Sequence, residues 1–234
     1  MDYNELVKKR KQFNFEDLPA VKNNGKEITL KNPQNIEGGQ YDEENELNPW
    51  SRWQGDLNAE ILVIGQDWGG EECYREQQGI DSDEDVTNEN LIELFKSIGI
   101  TVRKPSEQYS KKIEQNLFFT NCILGIKEGS KTCAVDRWIE INAKEFLKPL
   151  IQEVLNPKII ITLGLPAFKS VNEIFKITEE KNYKLNMKSV LTKEYPYIQN
   201  DIKIFSFYHC GRLGVNNRSL EKQIDDWSIL KKYV

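Results

Sequence analysis

The stretch ILVIGQDWGG, residues 61–70, decides the fold. Ile61 to Ile64 form an unbroken apolar, β-prone run that stops at Gly65, the pattern of a short strand covered on both faces of a parallel sheet. Two further runs have the same form, Ile159 to Leu163 before Gly164 and Ile202 to Tyr208 before His209. A fourth, Leu117 to Thr120, ends at Asn121. Between them lie helical periodicities. Leu91, Leu94, Phe95 and Ile98 share one face, with Thr87 or Asn88 as cap and Gly99 as stop. Ala143 to Val154 carries a second stripe that Pro149 kinks or delays. Pro166 opens a third helix that buries Phe168, Val171, Ile174 and Phe175, and a fourth carries Leu220, Ile224, Trp227 and Leu230. Strands alternating with helices predict an α/β fold: a single three-layer α/β/α domain around a central, mainly parallel sheet of about four strands.

The chain has 234 residues with 38% hydrophobic content, enough for one core. Residues 56–234 are expected to form the α/β domain and residues 1–55 a helical and irregular extension packed on it. The acidic stretch Gly79 to Glu89 reads as a solvated loop. No apolar run approaches the roughly 20 residues of a membrane span, so a cytoplasmic protein is expected. Cys73, Cys122, Cys133 and Cys210 lie far apart without a CxxC pair, which predicts free thiols, no zinc ribbon and no iron–sulfur cluster. The net charge of −5 argues against a protein that coats nucleic acid by bulk attraction, so any DNA contact must come from a local patch.

In open α/β sheets ligands bind beyond the carboxyl ends of the strands, where loops and helix N-termini converge. That rule selects residues 65–70, 120–122, 163–166 and 208–212. Asp67 stands two residues past a strand, where a carboxylate can orient water or stabilise a developing cation, or can simply cap the following turn. Asn121 can offer a donor and an acceptor to one edge of a base, or can make a turn. His209 is the sole histidine, so any imidazole chemistry must use it. Gly65, Gly69 and Gly70 do not make a nucleotide-phosphate loop, and no serine or cysteine nucleophile is set up. One carboxylate, one amide and one imidazole suit cleavage of a bond to a planar, hydrogen-bonding leaving group.

The segments IGQDWGG, FFTN, IITLG and FYHCG, in that order between Ile61 and Arg218, resemble the uracil-DNA glycosylase superfamily. The GQDWG motif and the upstream NPWSRWQGDLNAE are similar to a branch known mainly from bacterial genomes. The resemblance implies catalytic roles for Asp67, which acts on the sugar cation and its water, and for His209, which donates to the uracil carbonyl beside the broken bond. Asn121 would read the flipped base, with Gln66, Trp68 and Tyr74 around it, either aromatic serving as the flat wall. Trp68 and Gly69 stand where one branch has Pro-Tyr, the guard against thymine, and Cys210 and Gly211 replace Pro-Ser after the histidine. Arg212, Asn217 and Arg218 are placed to meet DNA phosphate, with Leu213 as a wedge in the gap left by the base; a capped helix with solvated arginines is the alternative. The expected partner is DNA carrying uracil or a related lesion, bound by a monomer that needs no cofactor. Two alternatives remain open: a binding module that has lost turnover, and a hydrolase of small nucleosides.

Overall fold

The computed structural model describes residues 1–23, 26–36, 45–111, 113–128 and 134–234. The elements run in chain order from α1 (Tyr3–Gln12) through a hairpin of β1 (Val21–Asn23) and β2 (Lys26–Ile28) to β3 (Leu30–Lys31) and α2 (Pro49–Trp53). Then come β4 (Ile61–Gly65), α3 (Glu71–Glu76), α4 (Val86–Ser97), α5 (Pro105–Ser110), β5 (Leu117–Asn121), β6 (Ile126–Lys127) and α6 (Asp136–Asn142). The last part holds β7 (Ile159–Leu163), α7 (Leu165–Phe175), α8 (Met187–Val190), β8 (Tyr197–Gln199), β9 (Ile202–Phe207), α9 (Arg212–Asn217) and α10 (Leu220–Trp227).

The central sheet has five strands in the order β5-β4-β7-β9-β8. The four strands expected from sequence form its parallel part, and β8 adds an antiparallel edge on β9. The short run at Tyr197–Gln199 escapes a periodicity reading because none of its three residues is fully buried. In β4, β5 and β7 every residue is buried, as sheet faces covered on both sides require. Side chains alternate between two cores. Leu62, Ile64, Phe118, Ile160 and Ile204 face one with Trp138, Phe146 and Val171, while Ile61, Val63, Phe119, Ile161 and Phe207 face the other with Leu91, Phe95 and Trp227.

The helices depart from expectation in instructive ways. Asp85, rather than Thr87 or Asn88, caps α4: its carboxylate accepts the Thr87 N–H at 2.8 Å. The segment with Pro149 begins earlier, at Asp136, and does not break. It widens into π-type turns at Ala143–Leu147 and Leu150–Leu155, a winding that leaves room for a ring with no N–H to donate. The first 55 residues contribute directly to the cores, Leu6, Val7 and Phe15 to the first and Trp50 and Trp53 to the second. No helix among the described residues is long and apolar enough to cross a membrane. Cys73, Cys122 and Cys210 are free thiols, and Cys133 lies outside the described residues.

Parallel register brings the strand ends level: Gly65 pairs with Asn121 and Leu163 with Phe207, so the loops that follow meet at one edge of the sheet.

Candidate active site

A cleft of about 840 Å³ opens at that edge. Gln66, Asp67 and Trp68 enter it from β4, Gly164 from β7, and His209 from β9. The exit of β4 is held by its neighbour: Cys122 and Ile123 donate their backbone N–H groups to the carbonyls of Gly65 and Gln66 at 2.9 and 3.0 Å. Asp67 is therefore presented from a fixed loop.

Its carboxylate is fully engaged. Oδ1 accepts the Gly69 N–H at 3.1 Å, closing a tight turn in which Gly69 adopts φ +119°, a backbone shape that favours glycine. Oδ2 accepts from Gln66 Nε2 at 2.7 Å and from Lys127 Nζ at 2.8 Å. The Lys127 and Asp67 side chains are only 1% and 5% exposed, so this is a buried ion pair at the floor of the cleft. Lys127 reaches that position through the N-terminal segment, because β3 pairs with β6 at Leu30↔Lys127 and Gly70 bridges Lys127 on the other side.

His209 is half-buried in a locked loop. Its Nδ1 accepts the Gly211 N–H at 2.9 Å, which leaves Nε2–H as the one donor of a neutral ring. Burial lowers the imidazole pKa below its ordinary value, against the opposing charges of Asp67 and Asp85. The neighbouring Cys210 carbonyl accepts from Asn90 Nδ2 at 2.7 Å, tying the loop to α4. Gly214 comes so close that a Cβ there would lie 1.6 Å from the His209 carbonyl oxygen.

Among the described residues, Trp68 is one of two aromatic residues that line the cleft, the other being Tyr208. The Trp68 indole donates to Asp81 Oδ1 at 3.1 Å, and its ring meets Tyr74 edge-on at 5.6 Å. Tyr74 is 1% exposed in a small core with Ile36 and Ile126, so it braces Trp68 and does not face the cleft. The acidic stretch is not simply a solvated loop, because Asp81 is buried beside Trp68, Asn88 and Tyr109. Desolvation raises the Asp81 carboxyl to about 7.

Asn121 is not among the residues lining the cleft. It is buried behind Gly65, its Oδ1 accepting from Asn48 Nδ2 at 2.9 Å, and Asn48 also caps α2. A Cβ on Gly65 would lie 2.9 Å from the Asn121 amide nitrogen and 2.8 Å from the Trp50 ring, so the glycine permits this packing. Arg212, Leu213 and Asn217 do line the cleft, and Leu213 is 66% exposed. Arg218 does not: it forms a two-pronged pair with Asp226 at 2.6 and 2.8 Å, so it is neither turned to the cleft nor left to solvent, and Ser219 makes no side-chain cap on α10. The structure thus gathers Gln66, Asp67, Trp68, His209, Arg212, Leu213 and Asn217 and sets Tyr74, Asn121 and Arg218 behind or beside them.

Sequence reasoning missed Lys127, Asp81 and the wall formed by Asn186, Met187 and Lys188. The one signal for Lys127 is a lone lysine closing the apolar run Ile123 to Ile126. No protein-family model matches the chain, and no curated protein is similar to it in sequence.

Proposed function

We propose that the cleft hydrolyses the N-glycosidic bond of uracil, or a related deaminated base, in DNA. The observation that carries this reading is the tautomer of His209: a neutral imidazole with Nδ1 occupied keeps a preformed Nε2–H donor in the same cleft as the Asp67 carboxylate. Breaking the bond between the sugar and the base leaves positive charge on the sugar and negative charge on the base. No single side chain stabilises both. Asp67 has the sign to face the sugar and the incoming water, and His209 can donate to the carbonyl where the base charge collects. The water's oxygen bonds to the sugar carbon, the bonding electrons leave with the base, and the water's proton passes to solvent or base. Trp68 offers a flat face to a flipped base, and exposed Leu213 suits the gap left in the stack.

One observation favours a second reading, a base-binding module without turnover: both oxygens of Asp67 already have protein partners, one of them a cation. Alkaline strand cleavage of uracil-containing DNA after incubation with the protein separates the two. The hydrolase reading expects strand breaks and free uracil; base binding with no release from DNA or from free deoxyuridine would establish the module.

A further inference from the structure

The cleft has a lip that the proposed reaction does not use. Between Lys181 and Tyr195 the chain carries Lys181, Lys184, Lys188 and Lys193 against one carboxylate, Glu194, in a protein of net charge −5. Among the described residues none of these four pairs with a carboxylate, as is also true of other exposed lysines such as Lys144, Lys148 and Lys222; what sets them apart is that they lie on one segment. The segment is held down by Leu185 and Val190, which pack on Phe168 of α7, so its charged side turns outward. Lys188 itself lines the cleft, together with Asn186 and Met187.

The same segment, on either side of the cleft-lining residues 186–188, carries the two exposed aromatic rings of the described structure. Tyr183 is 65% and Tyr195 77% exposed, and Lys184 Nζ lies 5.9 Å from the Tyr183 ring centre. Ammonium groups without carboxylate partners beside exposed aromatic rings, one of them with Lys184 over a single face, match what an unpaired nucleic-acid strand needs, charge for its phosphates and a platform for its bases. A paired duplex hides its base faces and could use only the charge.

We propose that residues 181–195 form a docking surface for a single strand of DNA, leading it into the cleft. The choice of DNA rests on the proposed function; the charge and the stacking platforms do not. The surface also supplies the phosphate contacts that Arg218, held by Asp226, does not.

The test measures binding of a fluorescent, undamaged oligothymidine strand across a salt series by anisotropy, with no base release involved. Each phosphate contact contributes about 0.7 to the salt slope on a single strand, so replacing Lys181, Lys184, Lys188 and Lys193 by alanine should lower its magnitude by roughly 3. Tyr183→Ala and Tyr195→Ala should each weaken single-strand binding roughly 5- to 150-fold while leaving duplex binding unchanged. All these residues are exposed, so the variants keep the fold. An unchanged slope in the lysine variant, tyrosine variants that bind as wild type, or equally tight binding of polyglutamate would each overturn the proposal. If the wild type releases no base yet shows these losses, the surface stands and the glycosylase reading falls. If base release is robust while the slope does not move, the reverse holds.

Discussion

Replacing Lys127 by methionine keeps an unbranched side chain one atom shorter and removes its charge, which leaves Asp67 buried without a cation. At 2.8 Å and an effective dielectric near 20 the bare attraction is about 6 kcal/mol, largely offset by the cost of taking both ions out of water. Removing one partner of such a pair costs about 3 to 5 kcal/mol. The bonds from Gln66 Nε2 and Gly69 N–H survive and still solvate the carboxylate, so the low end, about 3 kcal/mol, is expected. For a chain of this length that corresponds to roughly 6 to 12 °C in Tm. Asp67→Asn strands the lysine charge instead and should cost a similar amount. In the double variant neither charge is left uncompensated, so its loss should fall short of the sum by about 2 kcal/mol. Urea unfolding of the four proteins measures the cycle. Additivity within about 0.5 kcal/mol, or a Lys127→Met variant as stable as wild type, would refute the buried pair.

His209→Ala should lose about 100- to 1,000-fold in kcat on uracil DNA while still binding the base, as single-turnover kinetics would show. Because the folded His209 binds protons less readily than the unfolded chain, stability should fall as pH drops below about 6.5, and His209→Gln should shrink that acid limb in urea titrations. Asp81 works with the opposite sign: its carboxyl is raised to about 7, so the folded state holds the extra proton and stability falls as pH rises from about 4 to 7. Asp81→Asn keeps an acceptor for Trp68 and should flatten that slope, gaining on wild type above neutrality. Gly214→Ala cannot keep its backbone in place 1.6 Å from the His209 carbonyl, so it should cost about 1 to 3 kcal/mol and reduce base release, read from melting and alkaline cleavage. Arg218→Ala should leave the salt dependence of DNA binding unchanged, because its charge is already met by Asp226.

The parallel strands were legible because burial on both faces writes an unbroken apolar run, as at Ile61–Ile64 and Ile159–Leu163. The rule that ligands gather at strand ends selects Gln66, Asp67, Trp68 and His209, and these four line one cleft. Asn121 passed the same test and sits behind the sheet end, because strand position fixes a residue's height but Asn48, 73 positions earlier, decides where its amide is held. Asp81 looks in sequence like every other acid in its loop; in the fold it is buried with Trp68 and Tyr109 each donating to its carboxylate. The kink at Pro149 was legible as a problem and not as a solution, since wider helical turns leave no mark in the residue pattern.

If the proposed hydrolysis takes place in the cleft, the charge of Lys127 has two effects on Asp67 that differ in sign. It fixes the carboxylate in the folded protein, and it opposes a cation formed on the sugar. A sugar cation about 4 Å from Asp67 gains about 4 kcal/mol at an effective dielectric near 20, while an ammonium behind the carboxylate, about 7 Å away, returns about 2.4. The remainder of nearly 2 kcal/mol is worth about 20-fold in rate, well below what an unpaired carboxylate would supply. Under the glycosylase reading Lys127→Met should therefore raise single-turnover base release, by roughly 10-fold or more per folded molecule, while it lowers stability. Measured at a temperature where both proteins are folded, a faster variant marks Asp67 as an electrostatic catalyst held in check by its partner. A variant slower than wild type would mean that orientation by Lys127 outweighs its field, and would refute the arithmetic.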